Sequence, residues 1–253
     1  MLDDDDCGEP THVMLTRAQK RLDAEDFREQ PVNICGKAFI AHLSGALYWP
    51  SEDALIIADL HLEKGSSFAR RGQMLPPYDT RETLARLAKA LDITPATTVI
   101  ALGDSLHDEA ALDRMSEEDR ETLTVLQDDR DWIWLTGNHD GATTSKLGGI
   151  VRDDLTVEGI TFRHIPSTGR VTHEIAGHLH PCARLSRLGH TIRRPCFVSN
   201  GLRLVMPAFG AYTGGLNILD DAFAPLFGND GMNVHMMGHE GLYPVATRLL
   251  RGE

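Results

Sequence analysis

Three short apolar runs in the first half of the chain each give way abruptly to polar side chains: 54-ALIIADLHL, 97-TTVIALGD and 132-WIWLTGNHD. Apolar runs of this length, bounded by turn signals, are the mark of strands buried on both faces. Helical spacing lies between them. Leu84, Leu87, Ala88 and Leu91 predict a helix over Asp79–Leu91 that opens at Tyr78-Asp79-Thr80. A second helix is predicted over Ser116–Gln127, where Ser116-Glu117-Glu118-Asp119 reads as a capping box with Asp in place of the usual Glu or Gln. The segment EKGSSFARRGQMLPP reads as a glycine-containing loop. Strands that alternate with helices build an open α/β sheet, and such sheets bind ligands at the carboxyl edge of their strands.

The second half is strand-rich (ITFRH, EIAGHLHP, CFVSN, RLVMPAF, GLNIL), and no Ser/Pro tract separates it from the first. One domain of mixed sheets is therefore expected over 31–253. Residues 1–30 read as an appendage, with a like-charge run at Asp3–Asp6 and a short polar helix over Thr16–Arg28.

The strand ends present Asp59-Leu60-His61, then Gly103-Asp104, then Gly137-Asn138-His139-Asp140. Arg163-His164 and Gly177-His178-Leu179-His180 follow. In an extended chain residues i and i+2 point the same way, so Asp59 with His61, and His178 with His180, are each expected to face one ion. Carboxylate and imidazole without thiolate suit divalent first-row metals such as manganese, iron or zinc. The candidates Asp59, His61, Asp104, Asn138, His164, His178 and His180 are too many for one ion with room for a substrate. Two ions bridged by Asp104 accommodate them, and such a pair can clamp a phosphoryl group. His164 is preferred to His173 because it ends a strand.

Composition narrows the alternatives. The formal charge of −12 argues against a protein that coats nucleic acid non-specifically. Cys7, Cys35, Cys182 and Cys196 show no CxxC spacing, so neither a zinc knuckle nor a disulfide framework is indicated. No apolar run approaches the roughly 20 residues of a membrane span. The acidic start is unlike a signal peptide, and a cytoplasmic location is expected.

The order DxH, GD, GNHD, H, GHxH resembles the calcineurin-like metallophosphoesterase superfamily, from about Ala54 to Pro181. SGALYWP, ADLHLEKGSSFARRG, LPPYDTR, EIAGHLHP and PAFGAYTGG are similar to the bacterial DNA-ligase-associated metallophosphoesterases, from about Ser44 to Tyr243. The resemblance implies an α/β (α+β) fold, a four-layer αββα sandwich of two mixed sheets flanked by helices. It also implies a manganese-dependent phosphodiesterase and endonuclease that acts in DNA repair with a helicase, an exonuclease and an ATP-dependent DNA ligase. Carried over by motif, Asp59, His61 and His180 would hold one metal, and Asn138, His164 and His178 the other, with Asp104 between. His139 would stabilise the transition state or protonate the leaving oxygen, and Asp140 would close the turn.

In 103-GDSLHD-108, His107 stands where the phosphoprotein phosphatases of this superfamily carry the Asp that orients the catalytic His. A His there resembles the nuclease branch. Lys64, Arg70 and Arg71 are candidate phosphate contacts, as are Arg184, Arg187, Arg193 and Arg194 on an expected hairpin. Two other functions fit this reading: a phosphodiesterase for small cyclic or nucleotide substrates, and an inactive metal-binding scaffold of a repair complex. A third view makes PAFGAYTGG and the C-terminal strands a docking surface.

Overall fold

The computed structural model describes residues 28–253 apart from 74, 170–172, 188 and 229–230. The leader and its expected helix lie almost wholly outside the described residues. The first sheet has seven strands in chain order: β1 (Glu29–Ile34), β2 (Lys37–His42), β3 (Leu47–Trp49), β4 (Ala54–Ile57), β5 (Thr98–Ala101), β6 (Asp131–Leu135) and β7 (Ile150–Arg152). Pairing is antiparallel as far as β4 and parallel from β4 to β7. The three apolar runs of the sequence are the central parallel strands, which lie side by side.

The second sheet contains β8 (Asp154–Val157), β9 (Ile160–Arg163), β10 (Glu174–Ala176), β11 (Pro181–Arg187), β12 (His190–Ser199), β13 (Arg203–Val205), β14 (Leu216–Asn217), β15 (Asn233–Met237) and β16 (Leu242–Val245). Its order is β14-β11-β12-β13-β10-β9-β8, with β15 joined to β12 and β16.

Burial on both faces explains the unbroken apolar runs. In β4, Leu55 and Ile57 pack into one core, while Ala54 and Ile56 pack into another between the two sheets. Trp49 spans that inter-sheet layer, with its ring 4.9 Å from Phe39 and 5.8 Å from Phe162. Each such buried large side chain contributes roughly 1.5–3 kcal/mol.

Five short or medium helices complete the described fold: α1 (Lys64–Arg70), α2 (Asp79–Ile93), α3 (Ala111–Arg114), α4 (Glu117–Gln127) and α5 (Ala224–Phe227). α2 buries Thr83, Leu84, Leu87 and Leu91, one face at helical spacing, against the outside of the first sheet. α4 meets half of the capping-box expectation: the Asp119 amide donates to Ser116 Oγ at 3.1 Å, but the shorter Asp119 carboxylate accepts the Ser116 hydroxyl, at 2.6 Å, in place of the Ser116 amide. The helical layer on the second sheet is thin, with Phe223, Leu226 and Phe227 at α5 packing on Val198 and Val205.

One expectation is corrected. The Gly-Ser-Ser segment after β4 is a helix, α1, and not a loop. Its weak propensity is overridden by tertiary ties. Asp79 leaves its own helix end uncapped and accepts the Gly65 amide at 3.0 Å. Thr80 donates to the Glu63 carboxylate at 2.9 Å, and Arg114 donates to Ser66 Oγ at 2.9 Å.

Beneath the β9–β10 connection Arg203 is fully buried. It donates to Glu174 at 2.7 Å, to the Leu226 carbonyl at 2.7 Å and to the Ser167 carbonyl at 2.6 Å. Removing Arg203 leaves the buried Glu174 charge with only the longer contact to Arg163, 3.6 Å away, at a cost of up to about 3–5 kcal/mol. Arg203→Leu is therefore expected to lose about that much stability in urea unfolding. Breaking the exposed Arg81–Glu118 pair with Arg81→Ala should cost under about 1 kcal/mol.

Candidate metal centre

The parallel strands β4, β5 and β6 end side by side, so the segments that follow them converge at one edge. These segments are also tied to each other. The Asp59 amide donates to the Gly103 carbonyl at 3.2 Å and the His61 amide to the Asp104 carbonyl at 2.8 Å. Asp59, His61 and Asp104 all have positive φ, at 54°, 45° and 47°. The chain is thus coiled back at these positions, not extended.

His178 and His180, after β10, also have positive φ, at 71° and 45°. The i, i+2 reading is corrected on this point. Asp59 and His61 do meet, but His178 and His180 part company. The ligand atoms of Asp59, His61 and His180 cluster within 4.8 Å of one another, as do those of Asp104, His164 and His178. This is the division implied by the family resemblance.

Asn138 joins the second group, with its Oδ1 3.0 Å from His164 Nε2. Asp104 Oδ2 lies between the groups, 3.4 Å from His164 Nε2 and 3.8 Å from His61 Nε2. His173, the rival to His164, is exposed at the start of β10 and belongs to neither group.

The proton inventory tests whether this set fits a metal. A carbonyl oxygen only accepts, so a ring nitrogen facing one must donate. His164 Nδ1 donates to the Leu102 carbonyl at 2.9 Å, and His180 Nδ1 donates to the Gly214 carbonyl at 3.2 Å. With Nδ1 committed to a carbonyl, Nε2 of each ring is the atom left to hold a metal, as is usual for metal-binding histidines. His164 Nε2 meets Asn138 Oδ1, His178 Nδ1 at 3.1 Å and the Asp104 carboxylate. His61 Nε2 meets His180 Nε2 at 3.4 Å. At His164 Nε2, facing an amide oxygen and a carboxylate, lone pairs meet lone pairs in a buried site and call for a cation. The two clusters fit a two-metal site.

The charge states agree. Burial acts to raise the Asp104 pKa, but His164 and the His139 amide outweigh it and hold Asp104 down to about 2. Burial and the neighbouring His180 push His61 down to about 2, so its ring is neutral. Burial and His164 also lower His178. Burial opposes a proton on His164, but its hydrogen bond to Asp104 and the Asp59 and Asp104 charges raise its pKa. The field that would favour a proton there favours a metal ion equally.

His139 stands at the rim. Its amide donates to Asp104 Oδ1 at 2.9 Å, and its Nε2 lies 4.0 Å from Asp104 Oδ2. Its Nδ1 donates to the backbone carbonyl of His107 at 3.1 Å. The orienting group supplied by 103-GDSLHD-108 is therefore a main-chain oxygen. The His107 ring stacks on His139 at 13° with centroids 5.6 Å apart. Burial, with Lys64 and His139 adding to it, pushes the His107 ring down to about 4. Asp140 is fully buried and accepts the Leu106 and Gly137 amides, each at 2.9 Å, so it closes the turn. Gly137 has no alternative there, because a Cβ would overlap the Asp104 amide and carboxylate.

Lys64 is half-buried at the start of α1, 6.0 Å from the Phe68 ring centroid. Arg70 and Arg71 are exposed, with no ion pair among the described residues. The other basic group is partly engaged. Arg184 donates to the Gly252 carbonyl at 2.5 Å, and Arg193 pairs with Glu253 at 3.2 Å.

Two further contributors are not among the site residues expected from the sequence. PAFGAYTGG wraps the site, with the Gly210 amide on the Asp59 carbonyl at 3.1 Å and the Gly214 carbonyl on His180. Its Phe209 is buried, while 211–215 remain partly or fully exposed. Behind α1, Arg114 joins Asp108, at 2.8 Å, to Ser66. Burial acts to raise Asp108, but Arg114 and Ser67 hold it down to about 2.

The nuclease MPE of Pseudomonas putida has a solved structure that matches 86% of this chain and 100% of its own, at 26% identity and a TM-score of 0.66. The fold is that of a known nuclease. The family resemblance read from the motifs thus has support from a solved structure. A protein of unknown function from Aquifex aeolicus matches 54% of this chain and 81% of its own at 20% identity, but its TM-score of 0.36 is too low to bear on function. No protein-family model and no curated protein matches the chain.

Metal counting by mass spectrometry on protein loaded with a divalent first-row ion should give two ions per chain. His180→Ala should retain one of them. Asp104→Ala should lose both, or weaken both by at least about tenfold. Unchanged stoichiometry in Asp104→Ala would contradict a bridging carboxylate.

Proposed function

We propose that the chain is a two-metal phosphodiesterase that hydrolyses nucleic acid, DNA with single-stranded regions above all. The observation that carries the reading is the pair of histidine–carboxylate clusters joined through Asp104. The likeness to a nuclease supports the substrate class. Asp59, His61 and His180 are assigned to one ion and Asn138, His164 and His178 to the other, with manganese as the expected metal. When bound, two such ions supply the charge that polarises a phosphodiester and lowers the pKa of the attacking water.

The chain's own residues supply position and a proton. His139, its Nδ1–H held by the His107 carbonyl, presents Nε2 as the atom that can carry a proton to the leaving oxygen. The His107 ring, kept neutral by burial, packs against it and adds no competing charge. Lys64, Arg70 and Arg71 form the rim on which a phosphate backbone rests. A role in DNA repair beside a ligase, a helicase and an exonuclease belongs to this proposal, as do one domain over 31–253 and a cytoplasmic setting. Among the described residues no helix is long and apolar enough to cross a membrane.

His139→Ala is expected to lower manganese-dependent cleavage of single-stranded DNA and of a small diester alike, by about 10²–10⁴-fold. Charge reversal at Arg70 and Arg71 should weaken DNA cleavage more than cleavage of the small diester, and the gap should close at high salt. Equal losses on both substrates would sink the role of the rim. Diester turnover without any DNA cleavage would favour a small-nucleotide substrate, and no turnover on any substrate would favour a scaffold.

A further inference from the structure

Beside the metal centre lies a cleft of about 340 Å³ that shares Asn138 and His164 with it. Its other walls include Thr136, Asp153, Asp154, Arg163 and Ile165. In sheet order it sits at the β7 flank, across β5 and β6 from the β4 flank that carries Lys64, Arg70 and Arg71.

The two flanks differ in chemistry. Arg163, the cation in the cleft, is already taken, with Asp154 at 3.1 Å and Glu174 at 3.6 Å. Asp153 accepts the Thr136 hydroxyl on one oxygen at 3.1 Å, and its second oxygen remains an acceptor. Ile165 is 53% exposed and offers an apolar face. Such a cleft repels phosphate. It suits a flat group with an apolar face and N–H donors on its edge.

We propose that this cleft receives the nucleobase adjacent to the scissile phosphate. The proposal rests on the nucleic-acid reading above and goes further in one respect: the base must leave its stack and its partner to enter. The site thereby selects an unpaired nucleotide, while the phosphate chain continues over α1. Carboxylate oxygens only accept, so the cleft favours a base whose pairing edge offers adjacent N–H donors, guanine, over thymine.

The test is to digest a random-sequence single-stranded DNA and read the cut ends by sequencing. Wild type should enrich guanine over thymine at one position beside the cut, by about threefold to tenfold, and Asp153→Asn should flatten that preference. GMP should bind the purified protein more tightly than TMP by calorimetry, and Asp153→Asn should erase the difference. Ile165→Trp, which fills the cleft, should slow oligonucleotide cleavage about tenfold more than it slows small-diester turnover. Flat base usage in wild type, or a preference untouched by Asp153→Asn, overturns the subsite while the nuclease reading stands. Small-diester turnover with no oligonucleotide cut overturns the nucleic-acid reading, and the subsite with it.

Discussion

The carboxylate of Asp104 is the contact on which the rest of the site depends. One oxygen accepts the His139 amide and so fixes the loop after β6. The other faces His61 and His164, which come from different sheets. Its own carbonyl receives the His61 amide. Three loops and both sheets thus meet at one anion. If Asp104 were neutral, the imidazole lone pairs around it would have nothing to share with it but a proton. As an anion beside the neutral His61 ring, it makes the edge a well of negative potential that draws a proton or a cation to His164.

Reaching that arrangement costs backbone strain. Asp59, His61, Asp104, His178 and His180 all occupy the left-handed region, at roughly 1–3 kcal/mol each. Asp and His tolerate that region better than bulkier residues, and the two apolar layers beneath it are large enough to hold it. The parallel ladder β4-β5-β6 and the inter-sheet core around Trp49 and Phe162 fix where each strand stops. The coiled segments then have one direction left in which to turn. Rigid strands set the positions, and strained termini aim the side chains.

This division explains what was legible in the sequence. The strands could be read because burial on both faces leaves unbroken apolar runs, and the ligand types could be read because their chemistry has few other uses at a strand end. The geometry could not be read, because period-two alternation assumes extended backbone, and the ligands sit where the backbone stops being extended. That is why the alternation argument put His178 and His180 on one ion while the structure puts them in separate clusters. α1 was hidden because Gly65, Ser66 and Ser67 owe their helical state to Asp79, Thr80 and Arg114, none of which is local. The carbonyls of Leu102, His107 and Gly214, which set the histidine tautomers, belong to the main chain and leave no trace in residue identity.

The net charge of −12 has to be compatible with the polyanionic substrate proposed above. Charges beyond about 8 Å are largely screened at physiological ionic strength, so a phosphate at the strand edge responds to what borders it and not to the total. At the β4 border it finds Arg70 and Arg71, which pair with no carboxylate among the described residues, and Lys64, which feels the charge of Asp79. At the β7 border it finds Asp153 and Asp154, with Arg163 already paired. Two divalent ions between them would more than offset the Asp59 and Asp104 charges beneath. The potential therefore falls across the site in one direction. A single strand can follow that gradient by laying its phosphates along α1 and turning a base into the acidic side. A duplex, rigid and charged along both strands, would have to press one of its backbones against Asp153 and Asp154.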